Sequence, residues 1–339
     1  MRRSPPHSTP FLDILVVKLS SLGDVVHVMP AVQDMLRALP RANVDWVVER
    51  GFAPLVERCH GVRRAIPCEL RKWRKAPLAS GTREAFRAFR RELGAQAYDA
   101  IIDLQGLTKS GLVARLAHVA PAGKRYALAN QTDGSSYEAP TRWLADVAVR
   151  VEPHVHAVAR SRELCARALG YALPDELRFG LVAREVERGG GAVAFIHGSS
   201  RADKCWPEVR WVEIGRRIAQ RGGRIALPHG SDAEEAVSRR IAQAIGTAAE
   251  VWPRMPLDAL TDRMGECAGA IGVDSGLSHI AVALDLPHVQ IYNFDTAWRT
   301  GPLDAACQRS VYAQPTPSVD AVWAAWEAVT IAGATPLAE

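Results

Sequence analysis

Short aliphatic runs alternate with longer segments of helical period along almost the whole chain, and this alternation constrains the fold more than any other feature. The runs are LDILVV, VDWVVE and YDAIIDL in the first half, and AVAFIHG, GRIALPHG, GAIGVDS and HVQIYN in the second. Such runs are typical of buried strands, and the segments between them are typical of crossover helices. Strand followed by helix, repeated, predicts an α/β protein with parallel sheets.

Length and composition divide this pattern into two domains. The chain has 339 residues, of which 48% are hydrophobic, enough for two buried cores. Charges and three successive glycines in REVERGGGAV are typical of a linker. We therefore predict two Rossmann-like domains that face each other across a cleft. The predicted bounds are a disordered leader at 1–11, domains at 12–182 and 193–317, a linker at 183–192 and a closing helix at 318–333.

Composition also argues against several classes of protein. No window approaches the roughly 20 consecutive apolar residues of a membrane-spanning helix. The start, MRRSPPHSTP, continues into proline and histidine and not into an apolar stretch, so it does not resemble a signal peptide. The six cysteines form no CxxC pair, which disfavours a zinc site and a disulfide framework. These features predict a location in the reducing cytoplasm.

The chemistry of a parallel sheet is expected just after each strand, because ligands bind outside the carboxyl ends of the strands. Four runs are followed by small hydroxyl or glycine residues together with a charge, in SSLGD, SSRADKCWP, SDAEE and SGLSH. This composition favours phosphate binding by backbone N–H groups and helix N-termini. The chain has no GxGxxG after a strand and no Walker lysine motif, so the fingerprints of nicotinamide dinucleotide and P-loop proteins are absent.

Two of these segments contain candidate anion ligands. The Asp274-Ser275-Gly276 turn is predicted to begin a helix that would hold a pyrophosphate, with His279 one turn further along. Lys204 precedes a helix that begins near Pro207, where a lysine is misplaced unless an anion binds. The alternatives are that Asp274 or Ser275 only caps the helix, that His279 only packs, and that Lys204 is a solvated surface residue.

Several motifs from both halves together carry a family resemblance. In order, they are SSLGDVVHVMPA, VDWVVE, RKWRKAP, IIDLQGLTKS, SSRADKCWPE, LPHGSDAEE and VDSGLSHIAVALDLP. From about residue 12 to 330 the chain resembles the lipopolysaccharide heptosyltransferase I family. The forms DLQGLTKS and SSxGDxxH favour this family over heptosyltransferase II, which stays the alternative together with other nucleotide-sugar transferases of the same architecture. A non-catalytic two-lobed binding protein is the third hypothesis.

The resemblance implies a GT-B fold and an inverting glycosyl transfer on the cytoplasmic face of the inner membrane. The enzyme would move heptose from ADP-L-glycero-β-D-manno-heptose to the first Kdo of Kdo2-lipid A, in lipopolysaccharide inner-core biosynthesis. Inversion requires a base that takes the proton of the attacking hydroxyl, and Asp24 matches the family's catalytic base. The alternative for Asp24 is a helix-capping carboxylate with no chemistry.

The resemblance also implies a donor site in the second half. The matching positions are, for the phosphates, Ser199, Ser200, Lys204, Ser275, Gly276 and Leu277; for the ribose, Glu234; for adenine, Met255; and for the sugar and phosphates, Asp274 and His279. Fixed donors of this kind stabilise a departing diphosphate without a divalent ion. No DxD-like pair follows a strand, so we predict no obligatory metal or cofactor, with ADP-heptose as a substrate.

The basic cluster in RKWRKAP is assigned to the acceptor. Arg71, Lys72, Arg74 and Lys75 surround Trp73 within five positions. Kdo carboxylates and lipid A phosphates are anions that such side chains bind, and the anionic inner leaflet is a further partner. A solvated helix face is the alternative. Nucleic acid is disfavoured, because a single interleaved aromatic residue makes no stacking platform.

Two segments are less determined by pattern. Relatives carry a YGPT-like turn after the last strand of the second half, whereas this chain reads IYNFDTAWRTGP. Asn293 and Phe294 therefore predict a bulkier and less flexible loop near the donor. Residues 120–142 are predicted to form a mobile acceptor loop.

Overall fold

The chain, in a computed structural model, divides into two units. The structure describes residues 12–184, 191–303 and 306–334. The predicted leader and residues 185–190 of the predicted linker lie outside the described residues. The first unit comprises the chain up to Ser20 and Val28–Gly180, and the second comprises Ser21–His27 and the chain from Leu181 onward. A short segment from the first half of the sequence therefore packs with the second unit.

The first unit is built on a six-stranded parallel sheet. Its strands β1–β6 cover Leu12–Val17, Ala42–Glu49, Val62–Cys68, Ala97–Asp103, His118–Leu128 and Val147–Val149. The order across the sheet is β3-β2-β1-β4-β5-β6, and all neighbours are parallel. The strand order therefore reverses between β1 and β4, which is where such sheets bind ligands.

Helices of the first half of the chain connect these strands. Helices α1–α8 cover Leu22–Val26, Met29–Ala38, Ala53–Val56, Leu70–Lys75, Ser80–Gly94, Thr108–Leu116, Thr141–Leu144 and Ala157–Leu169. Helix α1 belongs to the segment that packs with the second unit. One face of α5 carries Phe89 and Leu93 into a core that includes Leu15, Val17 and Ile101.

The second unit repeats the architecture with a sheet of its own. Strands β7–β12 cover Val193–Ile196, Ile225–Leu227, Ala249–Val251, Gly269–Val273, His288–Tyr292 and Gln308–Tyr312. The order is β12-β11-β10-β7-β8-β9, again all parallel, so the reversal lies between β7 and β10. Helices α9–α14 cover Glu208–Gln220, Asp232–Ile245, Leu257–Gly265, Gly276–Ala283, Ala297–Thr300 and Val319–Ala334. The core packs α9 and α14 against the sheet through residues such as Trp211, Ile214 and Trp326.

The predicted α/β class with parallel sheets is confirmed. Each of the seven aliphatic runs contains a strand, whereas β3, β5, β6, β9 and β12 were not expected from the pattern. Residues 120–128, predicted as part of a mobile loop, instead extend β5, and β5 pairs with β4 and β6. Ser318 caps α14, since the Ala321 N–H donates to its hydroxyl at 3.2 Å, but the helix continues through Gly333 and past its predicted end.

Two general expectations can be compared with the described residues. Of the helices in this part of the chain, none combines the length and the apolar character that crossing a bilayer requires. The six cysteines are all free thiols, and four of them, Cys59, Cys68, Cys165 and Cys267, are buried. Burial raises the pKa of the Cys59 thiol to about 12, so this thiol is un-ionised at neutral pH.

A buried carboxylate ties three strands of the first unit together. Asp45 in β2 has no exposed surface and accepts hydrogen bonds from Arg63, Arg64 and Tyr98 at 2.5–3.1 Å. Burial alone raises the pKa of Asp45, but the hydrogen bonds from Arg63, Arg64 and Tyr98 outweigh burial and hold the pKa below its ordinary value of 3.8. The ionised carboxylate therefore stabilises the fold at neutral pH.

We expect Asp45→Asn to lower the free energy of unfolding by about 2–4 kcal/mol near pH 7, because the arginines lose their buried counter-ion. The folded-state pKa is depressed, so the contribution of Asp45 is present above the unfolded-state pKa and is lost as the pH falls through the folded-state pKa. Urea unfolding followed by fluorescence near pH 7 and near pH 3 should show a parent–variant difference that narrows in acid. An equal difference at both pH values would contradict this account. Asp175→Asn, at an exposed carboxylate of the same unit, is the control.

Candidate functional site

The strand-order reversal of the second unit is bridged by a partly buried ion pair. Lys204 Nζ donates to Asp274 Oδ2 at 2.5 Å, which joins the loop after β7 to the end of β10. The hydroxyl of Ser199 donates to the Asp274 backbone oxygen at 3.3 Å and adds a second link. Lys204 ends the 3₁₀ turn Ala202–Lys204, and its side chain is 20% exposed. Lys204 is therefore not a fully solvated lysine, and its internal counter-ion is Asp274.

Asp274 is surrounded by donors from three elements. Besides Lys204, the His279 Nε2 atom of α12 lies 3.5 Å from Asp274 Oδ1, and the Thr300 hydroxyl of α13 lies at the same distance. Burial by itself raises the pKa of Asp274, but His279 and then Lys204 outweigh burial, so the pKa lies well below its ordinary value. Asp274 is thus a fixed negative charge that orients two cationic or potentially cationic side chains.

The N-terminus of α12 has the features of an anion site. Ser275 is the residue before the first turn, but its hydroxyl makes no capping hydrogen bond. The same hydroxyl oxygen is buried and has no hydrogen-bond partner among the described residues. The first N–H groups of a helix have no partner within the helix, and its dipole favours a negative charge there. Ser275, Gly276 and Leu277 therefore combine donors that an anion would satisfy.

Glu234 lies between the ends of β7 and β8. The Ser231 hydroxyl caps α10 by accepting the Glu234 N–H at 3.2 Å, and the Glu234 carboxylate accepts the Gly230 N–H at 2.6 Å. A side chain on Gly198 would lie 2.7 Å from this carboxylate, so the glycine permits the close approach. Ser200 is exposed near the same strand end, and Met255 is half-buried in the loop between β9 and α11.

Helix α1 packs directly on α12 through two glycines. A Cβ on Gly23 would lie 2.5 Å from the His279 ring, and a Cβ on Gly276 would lie 2.7 Å from Leu22. The rings of His27 and His279 are 4.3 Å apart, which adds a third contact along the same seam. The helix that carries Asp24 is therefore fixed to the helix whose N-terminus carries the unpartnered Ser275 hydroxyl.

Asp24 itself is half-buried in the first turn of α1. Its Oδ2 atom accepts the Ser21 N–H at 3.1 Å and the Ser21 hydroxyl at 2.9 Å. This is a helix-capping arrangement, so the structural role considered for Asp24 is present. Capping fixes the orientation of the carboxylate, and this is compatible with a role as a base.

The strand end that precedes Asp24 is held by residues that the sequence did not single out. Gln105 Oε1 accepts the N–H groups of Leu19 and Ser20 at 3.0 and 3.1 Å. The buried Lys18 donates to the Leu104 oxygen at 3.2 Å. A lysine directly after the aliphatic run LDILVV was the available signal, because a buried charge there requires partners.

Asn293 gives the unusual loop after β11 a definite role. Its amide nitrogen donates to the backbone oxygens of Asp203 and Cys205 at 2.9 and 3.0 Å, on either side of Lys204. The Phe294 ring lies beside Arg201, with the guanidinium 5.8 Å from the ring centre. The predicted bulkier loop thus holds the turn that presents Lys204.

The predicted acceptor residues lie in the first unit on a short helix. Arg71, Lys72, Arg74 and Lys75 are all exposed on α4, and Lys72 pairs with Glu69 at 3.3 Å. Trp73 is only 7% exposed and packs against Phe86 and Phe89. The tryptophan therefore anchors α4 to the core and offers no stacking surface. In the described residues, no group of three or more His, Cys, Asp or Glu side chains is arranged to hold a metal ion.

Comparison with known proteins relates this arrangement to one family. The model of glycosyltransferase family 9 (heptosyltransferase) matches residues 86–321. Lipopolysaccharide heptosyltransferase 1 of Escherichia coli strain K12 is 38% identical over 285 residues, which cover 82% of this chain and 87% of that protein. The likeness therefore extends over most of both chains.

Solved structures give the same relationship. E. coli heptosyltransferase WaaC with ADP is 34% identical, with a TM-score of 0.83, over 93% of this chain and 99% of that one. The same protein with ADP-2-deoxy-2-fluoro heptose is 33% identical, with a TM-score of 0.78 and the same coverage. Both neighbours hold an adenosine diphosphate group.

The packing of α1 on α12 is tested by filling one of its glycines. We expect Gly276→Ala to lower the free energy of unfolding by about 1–3 kcal/mol, because its Cβ would overlap Leu22. Amide hydrogen exchange in α1 should be faster in this variant than in the parent. Gly81→Ala is the control, since nothing lies within 4 Å of its added Cβ. Unchanged stability and exchange in Gly276→Ala would show that the seam does not hold α1.

Proposed function

The chain belongs to glycosyltransferase family 9, the heptosyltransferases, and on this premise we propose that it transfers heptose from ADP-L-glycero-β-D-manno-heptose to the first Kdo of Kdo2-lipid A. It is a glycosyltransferase, and heptose transfer in lipopolysaccharide inner-core biosynthesis is its reaction. The TM-score of 0.83 to heptosyltransferase WaaC confirms the predicted GT-B fold class. The acceptor, the site residues and the location are the proposed parts. The observation that supports the site residues is the packing of the Asp24 helix on the N-terminus of α12.

We assign the donor diphosphate to the N-terminus of α12 and to Lys204. The ammonium group has three N–H donors, one of which is engaged by Asp274, so others remain to meet phosphate oxygens. The unpartnered hydroxyl of Ser275 and the first N–H groups of α12 supply further donors. Ser199, Ser200 and Leu277 line the same strand ends. In this proposal Glu234 accepts ribose hydroxyls and Met255 lies beside adenine.

Asp24 is assigned as the general base. Its carboxylate takes the proton of the acceptor hydroxyl while that oxygen forms a bond to the anomeric carbon. The bond from this carbon to the diphosphate oxygen breaks on the opposite face, and ADP leaves with the electron pair, so the configuration inverts. Donors fixed around Asp274 and His279 stabilise the charge that develops on the departing diphosphate. No step in this scheme requires a metal ion.

The acceptor's anions are assigned to the exposed side of α4. Arginine and lysine bind carboxylates and phosphates through charge-assisted hydrogen bonds, and arginine can do so in a bidentate manner. The burial of Trp73 fixes α4 while Arg71, Lys72, Arg74 and Lys75 point outward. Because lipid A is embedded in a membrane, we place the enzyme on the cytoplasmic face of the inner membrane as a peripheral protein.

The base assignment predicts that Asp24→Asn lowers kcat at least about 100-fold, because the amide cannot accept the proton. ADP release from ADP-heptose in the presence of Kdo2-lipid A measures turnover and tests the reaction itself. The Asn side chain can still cap α1, so ADP affinity should stay that of the parent. Turnover within tenfold of the parent would remove the role of Asp24 as base.

The phosphate assignment predicts that Lys204→Ala weakens ADP binding by about 1.5–3 kcal/mol, the cost of losing a charged hydrogen-bond donor. Isothermal titration calorimetry measures this directly, and circular dichroism checks that the fold persists. Lys124→Ala, at an exposed lysine of the first unit, should bind ADP normally. Equal ADP affinity in the parent and in Lys204→Ala would show that Lys204 does not bind the diphosphate.

The acceptor assignment predicts a selective kinetic effect in R71Q/K72Q/R74Q/K75Q, here the α4 variant. Its KM for a deacylated, water-soluble Kdo acceptor should rise about tenfold or more, and the salt dependence of KM should flatten, because charge-assisted contacts are lost. ADP binding is the control and should not change. An unaltered KM for the acceptor would show that α4 does not bind it.

A further inference from the structure

Helices α4 and α5 together carry a concentration of positive charge. Residues 70–91 contain eight Lys and Arg and one acidic residue, so this stretch carries more positive charge than the +5 of the whole chain. Four of the eight belong to α4. The other four, Arg83, Arg87, Arg90 and Arg91, are exposed along α5.

The four arginines of α5 have no counter-ion in the described part of the chain, whereas several arginines of the second unit do. In the second unit, Arg221, Arg239 and Arg263 pair with Glu327, Glu235 and Glu250. Within residues 12–184, 191–303 and 306–334, by contrast, no ion pair involves Arg83, Arg87, Arg90 or Arg91. Glu84 and Glu92 are exposed on the same helix and are too few to neutralise the four arginines. The outer side of α5 therefore presents uncompensated charge.

Apolar side chains are exposed on the same stretch of the chain. Leu78, in the loop between α4 and α5, is 84% exposed, and its neighbours 76–81 are exposed as well. Phe86 on α5 is 37% exposed. The inner side of α5 is fixed to the core by Phe89 and Leu93, so the outward placement of the arginines is set by packing.

We propose that the outer face of α5 and the Leu78 loop form a docking surface for an anionic phospholipid bilayer. Basic residues near an anionic membrane are attracted to its surface, and exposed apolar side chains enter the boundary between headgroups and acyl chains. A dissolved sugar phosphate would satisfy the arginines but gives no partner to Leu78. This inference rests on the proposed function in one respect, namely that the acceptor is embedded in a membrane. The bilayer is assigned to α5, and the anions of the acceptor stay assigned to α4.

The test measures co-sedimentation of the full chain with vesicles that contain no lipid A. The parent should bind vesicles of phosphatidylcholine with about 30% phosphatidylglycerol, bind pure phosphatidylcholine weakly, and be released by salt. R83Q/R87Q/R90Q/R91Q, here the α5 variant, should bind the anionic vesicles about 30-fold more weakly or worse. Leu78→Ser should weaken binding by about fivefold without changing charge.

A matched control separates this surface from net charge. R221Q/R239Q/R240Q/R263Q removes the same number of positive charges, four, but from the second unit. This control should bind anionic vesicles within about threefold of the parent. Equal losses in the control and the α5 variant would overturn the proposal, and so would parent-like vesicle binding by the α5 variant. Circular dichroism establishes that each variant is folded, and Leu78→Ser gives a second readout with one exposed substitution.

A second measurement separates the bilayer from the acceptor. With a deacylated, water-soluble Kdo acceptor and no vesicles, the α5 variant should keep its kcat and its KM within about twofold of the parent, since α5 is assigned no part in the reaction. A raised KM of the α5 variant for this soluble acceptor would show that the α5 arginines bind the acceptor, and it would overturn the proposal. Absence of any transfer by the parent would refute the proposed function and leave the vesicle result to decide on the bilayer. Tighter binding of the parent to single-stranded RNA than to anionic vesicles, lost in the α5 variant, would also overturn it.

Discussion

The ion pair between Asp274 and Lys204 is the interaction on which the arrangement of the proposed donor site depends. A buried anion is costly unless it is paired and hydrogen-bonded, and here Lys204 pairs with Asp274 while the His279 ring lies 3.5 Å from it, each from a different element. The same pairing draws the loop after β7 to the end of β10, where the strand order reverses. Asn293 holds the backbone on both sides of Lys204, so the lysine is placed before any ligand arrives. A site organised in this way loses little freedom on binding a diphosphate.

The packing of α1 on α12 brings together residues that are distant in the sequence. Gly23 and Gly276 leave room for the His279 ring and the Leu22 side chain, so each helix fills the space that the other lacks. Asp24 is held in a short helix whose position follows from α12, although it comes directly after β1 in the chain. Substitutions along this seam are expected to be non-additive, because the residues share contacts. Gly23 and Gly276 thus each have a steric reason in this chain.

The sequence by itself determined the fold class and the main elements of the sheets. Aliphatic runs identified the central strands, because strands buried on both faces need apolar side chains at every position. The strands β3, β5, β6, β9 and β12 carried no such signal. The run VRRAIPC in β3 contains arginines whose partner is Asp45, and β5 contains Pro121 and Gly123. Pairing with neighbouring strands outweighs local preference at such positions, and a single sequence does not show that pairing.

For the site, the sequence determined which residues stand at strand ends, and motif resemblance added expected roles for them. It could not determine that Lys204 pairs with Asp274. It also could not determine that Gln105 accepts the N–H groups of Leu19 and Ser20, or that Asn293 donates to the backbone of the turn that contains Lys204. Each of these contacts joins residues 70 or more positions apart in the chain. Only tertiary structure decides such contacts, because they depend on how strands are ordered in the sheet and not on local periodicity.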